Sequence, residues 1–132
     1  MKLNPDCIRA ILLCLEENQG MVSERVQHIM LHCMPDLGFS QEDMIYSTIK
    51  MIERGLIEGK ARYSFGGAAY EIADITLAGH EFLANIHNEQ NWNKTKEVAA
   101  KVGAPRSLSI LTAAAEGVTK GILKTVLDMG NY

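Results

Sequence analysis

At Gly55 the hydrophobic period of this chain changes, and that change limits the folds open to it. Ahead of it, Ile45, Ile49, Ile52 and Leu56 recur at spacings of 4, 3 and 4, which sets them in one row on an α-helix. The Ser40 hydroxyl can cap that helix, Glu42 and Asp43 suit the positive end of its dipole, and Gly55 supplies the break at its end. The side left for solvent carries Tyr46, Ser47, Lys50 and Arg54. From Leu56 to Tyr63 the pattern alternates with the period of a half-buried strand. Ser64-Phe65-Gly66-Gly67 then reads as a turn, and Ala69 to Ile75 as the returning strand of a β-hairpin.

Helices fill the rest of the chain. Asn4 as cap, Pro5 at the first helical position and Asp6 in the first turn open one whose stripe is Ile8, Ile11, Leu12 and Leu15, with Cys7 and Cys14 beside it. Val22, Val26, Ile29, Met30 and Cys33 also follow a helical spacing, which predicts a second helix over 22–33. The β-branched residues in 25–33 allow a strand there too. After the hairpin, Thr76 caps a helix containing Leu77, Phe82, Leu83 and Ile86. The next helix puts Trp92, Thr95, Ala99 and Val102 on one face, and Ser107 caps a long last one. The fold class is mainly α with a small β-hairpin, divided into a domain over 1–86 and a helical extension over 87–132.

Three helices and then a hairpin is the order of the winged helix-turn-helix fold, and two runs match it more closely. Met44-Ile45-Tyr46-Ser47-Thr48-Ile49-Lys50-Met51-Ile52-Glu53-Arg54-Gly55-Leu56-Ile57 resembles the recognition helix and first wing strand of bacterial winged-helix regulators, where this spacing ends in Gly-Leu-Ile. Ile75-Thr76-Leu77-Ala78-Gly79-His80-Glu81-Phe82-Leu83 resembles the segment that leaves the wing in such proteins. From Met1-Lys2-Leu3-Asn4-Pro5-Asp6 through Trp92-Asn93-Lys94-Thr95-Lys96 to the tail, the chain is also similar to a family of bacterial and phage proteins catalogued as a domain of unknown function. The first resemblance implies a winged helix-turn-helix domain that binds double-stranded DNA in transcription regulation. The second brings no biochemistry with it.

A resemblance of fold leaves function to the site. On the helix expected in the major groove, Gln41, Tyr46, Ser47 and Lys50 are the candidates for base edges, with Arg54, Lys60 and Arg62 for phosphates. Charge works against them. The net charge is −3, and residues 1–91 hold 7 Lys and Arg against 13 Asp and Glu. Residues 92–132 reverse this with 6 against 3. The alternative to DNA is a protein partner bound through the acidic face.

In the last helix Leu108, Leu111, Ala115, Val118, Ile122, Thr125 and Met129 recur at alternating spacings of 3 and 4, a heptad seam. Such a seam fits a homodimer, and it also fits a helix folded back on its own domain. Enzyme chemistry has no support: His80 and His87 lack a nucleophile motif, and Gly66-Gly67 is followed by no Lys-Ser or Lys-Thr. His28 and His32 stand four apart with Cys33 beside them, but a closed zinc site needs four ligands, so neither metal nor cofactor is expected. No apolar run reaches the roughly 18–20 residues that span a bilayer. The three cysteines are an odd number set in apolar stretches, and no signal peptide is evident, so the expected location is cytoplasmic.

Overall fold

A computed structural model of the chain describes residues 2–17, 24–25, 38–64 and 67–130. In chain order the elements are α1 (Pro5–Glu17), β1 (Glu24–Arg25), α2 (Gln41–Arg54), β2 (Ile57–Ser64), β3 (Gly67–Ile75), α3 (Leu77–Ile86), α4 (Glu89–Lys101) and α5 (Leu108–Met129). The protein is mainly helical with a small antiparallel sheet, ordered β1–β3–β2. Its contacts gather into two units, residues 1–81 and 82–132.

In the first unit α1 packs on α2. The Asn4 side chain ties their N-termini together: Oδ1 accepts from the Cys7 N–H at 3.3 Å while Nδ2 donates to Asp43 Oδ2 at 3.4 Å. From α1 the contact buries Cys7, Ile8, Ile11 and Leu12. From α2 it buries Met44, Ser47, Thr48 and Met51, which corrects the row expected from the isoleucines. Ile45, Ile49 and Ile52 are only half-buried, because the helix is turned by about one residue position. Thr48 tolerates this burial because its hydroxyl donates to the Met44 carbonyl at 2.8 Å, one turn back.

One further expectation changes. At Glu24–Arg25 the backbone is a strand, paired with Ile72 and Glu71 of β3, so the helix expected over 22–33 does not hold there; the remaining positions lie outside the described residues. The edge of β3 offers unpaired backbone groups that a helix cannot use. Cys7 is a free, buried thiol.

The passage from α2 into the hairpin is held at both ends. Gly55, at φ 81°, closes α2 in a left-handed turn: its N–H reaches the Ile52 carbonyl at 3.1 Å, and the Leu56 N–H reaches that of Met51 at 2.9 Å. Where the hairpin ends, Thr76 returns to the same turn. Its N–H donates to the Leu56 carbonyl at 3.1 Å and its hydroxyl to the Gly55 carbonyl at 2.5 Å. The same oxygen accepts from the Gly79 N–H at 3.0 Å and so caps α3. Gly79 is buried, and a Cβ there would overlap the Leu56 carbonyl oxygen. The Thr-x-x-Gly spacing is therefore a clasp that seats the first turn of α3 on the α2–β2 turn.

In the second unit α4 and α5 pack together. Asn88 caps α4 by accepting from the Gln90 and Asn91 N–H groups at 2.8 and 3.2 Å, and Ser107 caps α5 by accepting from that of Ile110 at 3.2 Å. Trp92, Thr95 and Ala99 are buried as a face of α4. Val102, expected with them, falls at the turn that ends the helix and is exposed.

Candidate functional site

The solvent side of α2 gathers only part of the expected set. Glu42, Tyr46, Lys50 and Glu53 share one exposed or half-exposed stripe, successive turns apart. Lys50 Nζ lies 3.0 Å from Glu53 Oε2 and 5.3 Å from the centre of the Tyr46 ring. Its pKa is raised above the ordinary lysine value, chiefly by the hydrogen bond to Glu53 and then by that carboxylate's charge. Arg54, exposed at the end of the helix, stands one turn on from Lys50, whereas Gln41 is exposed at its start and off that stripe.

Ser47 does not belong to this surface. Its residue exposure is 0%, on the side of α2 turned to α1, and its Oγ lacks a well-formed hydrogen bond. The cause is the rotation that buries Met44 and Met51, since Ser47 stands one turn on from Met44. The pair of methionines seven apart was the signal for this face, but the β-branched isoleucines masked it. Beside Ser47 lies the Cys7 thiol, 3.5 Å from the Met44 sulfur. Burial pushes its pKa above the ordinary thiol value; the Ser47 hydroxyl opposes that rise and the Asp43 carboxylate adds to it. A buried, protonated thiol is a packing group rather than a nucleophile.

On the hairpin Lys60 is exposed, with Glu71 directly across the strand pair. Arg62 is placed by its backbone register alone, opposite Ala69. The described groups on α2 and β2 thus offer few cations among several carboxylates. His28, His32 and Cys33 lie outside the described residues. Among the described residues no three His, Cys, Asp or Glu side chains gather to hold a metal ion, and no helix is long and apolar enough to cross a membrane.

The heptad seam of α5 divides in two. Leu108, Leu111 and Ala115 are buried within the chain and so are not free to meet a partner, which corrects their assignment to dimerisation. Val118 is half-buried. Ile122, Thr125 and Met129 are exposed, as is every residue from 121 to 130. α4 has 13 residues and α5 has 22, so the rise of about 1.5 Å per residue leaves the end of α5 running beyond its neighbour.

The chain belongs to the DUF2513 family of hypothetical proteins, whose model matches residues 2–105, from α1 to the end of α4. It is also similar to an uncharacterised protein of Haemophilus influenzae, at 30% identity over 128 residues, covering 93% of this chain and 99% of that one. No solved structure matches the chain.

Proposed function

We propose that residues 1–81 form a winged-helix module that binds double-stranded DNA, in a protein that regulates transcription as a homodimer. The observation that carries this reading is the clasped passage from α2 through Gly55 into the β2–β3 hairpin. It joins a helix with half-exposed Tyr46 and Lys50 directly to a hairpin bearing exposed Lys60, the connectivity of a recognition helix and its wing. With Lys50, Arg54, Lys60 and Arg62 as the cations of the helix and hairpin, that surface neutralises about four phosphates. The logarithm of its affinity then falls with that of salt at a slope of about −3 to −4. So small a slope means weak binding by one copy and favours two copies on paired half-sites.

The test is binding of the full chain to a DNA selected from a random pool, followed over a range of salt. Lys50→Ala and Tyr46→Ala should each cost about 1–3 kcal/mol on the selected site, and Lys60→Ala should weaken all sequences alike and reduce the slope by about 1. Failure to enrich any sequence at low salt rejects the reading. A second reading, docking of a protein through the α2 face, is favoured by Glu42 and Glu53, which share that face, and by the ion pair in which Glu53 holds Lys50. It requires that low salt rescue no DNA binding.

A further inference from the structure

Along α4 and α5 runs an open groove of about 870 Å³, lined from α4 by residues such as Lys94 and Val98 and floored on α5 by Ile110, Ala114, Gly117 and Gly121. It continues on α5 to Thr125 and Val126, where α4 no longer runs beside it and one wall is missing. The overhanging end is apolar: Ile122 is 45% exposed, Val126 58% and Met129 67%. A helix that shows this much apolar surface is stable only when something covers it.

We propose that the occupant is a second copy of the chain, whose α5 lies antiparallel in the groove about a twofold axis between Gly117 and Gly121. The length of the two helices argues for this partner over a small ligand. In the antiparallel pair each overhang meets the other copy's α4, which supplies the wall its own α4 does not reach, and the same patch serves both sides. Backbones approach closely at the axis because nothing lies within 4 Å of a Cβ built at Gly117 or Gly121. The size reaches the lower end of what a stable pair needs. The thirteen lining residues, with Lys124, Asp128 and Met129 of the overhang, make sixteen per copy. Stable interfaces bury about 800 Å² per partner through 20–30 residues, so sixteen correspond to a total of roughly 850–1,300 Å², around the 1,000 Å² such interfaces require. This interface rests on the homodimer part of that reading and is measured without DNA, so loss of the dimer and loss of DNA binding are told apart.

Sedimentation velocity of the full chain over a range of concentrations tests it. The expected result is a dimer with a dissociation constant in the micromolar range or tighter, weakened at least about a hundredfold by Gly117→Phe with Gly121→Phe. Because a side chain at either glycine meets open space within the monomer, the variant should keep its helical circular dichroism. A wild-type chain that stays monomeric at the highest soluble concentration overturns the proposal, and so does a double variant that dimerises as before. A monomer whose groove takes up an apolar fluorescent dye, excluded by the two phenylalanines, overturns it in favour of a small ligand.

Discussion

α2 and α5 each carry an apolar row in their sequence, and the rows meet different ends. α2 begins on the Ser40 hydroxyl, stops at a left-handed Gly55, and buries Met44, Ser47, Thr48 and Met51 along its length. α5 begins on Ser107 just as firmly, but its buried residues stop at Ala115 and everything from 121 to 130 is exposed. The difference teaches that periodicity measures how much a helix has to cover, not what covers it. α2 has α1 against it in the same unit, while the end of α5 outruns α4.

Truncation separates the two regions most sharply. Leu12→Ala removes a fully buried side chain from the first unit and should cost about 2–5 kcal/mol in urea unfolding. Leu127→Ala, on the exposed end of α5, should leave the stability of the folded chain within about 0.5 kcal/mol. Equal losses at both sites would mean that the end of α5 is covered within the chain.

Glycine gives the next contrast, with opposite signs expected for one chemical change. Gly79→Ala drives a Cβ into the Leu56 carbonyl and to within 2.7 Å of Ile75 Cγ2, so it should destabilise by about 1–3 kcal/mol. Gly117→Ala adds a Cβ in open space on α5 and should stabilise the chain by up to about 1 kcal/mol through helix propensity. Thermal unfolding of the two variants at concentrations where the chain is monomeric checks the pair, and a loss at Gly117 there would show that the chain itself already covers the groove floor.

The smallest effect is at a cap. Ser40→Ala removes the hydroxyl that accepts from the Asp43 N–H at 3.0 Å and should cost about 1 kcal/mol in the same unfolding measurement. Because Asn4 also holds Asp43, a much larger loss would mean that the two N-termini open together.

What the sequence alone determined is the local punctuation. Asn4, Ser40, Thr76 and Ser107 start helices where their side chains accept from the backbone three residues on, and Gly55 ends one where a positive φ is needed. These bonds close within a single turn of chain, so residue type and spacing suffice to find them. The hairpin was legible for the same reason, its register being set by residues adjacent in sequence. Only the tertiary structure decided which face of α2 is buried, and with it the loss of Ser47 from the candidate surface. It alone paired Glu24 and Arg25 with β3. It also divided the seam of α5 into a buried start and an open end. Each of these depends on what a distant part of the chain presents at that point, and a hydrophobic period records only that a face is apolar, not which neighbour will cover it.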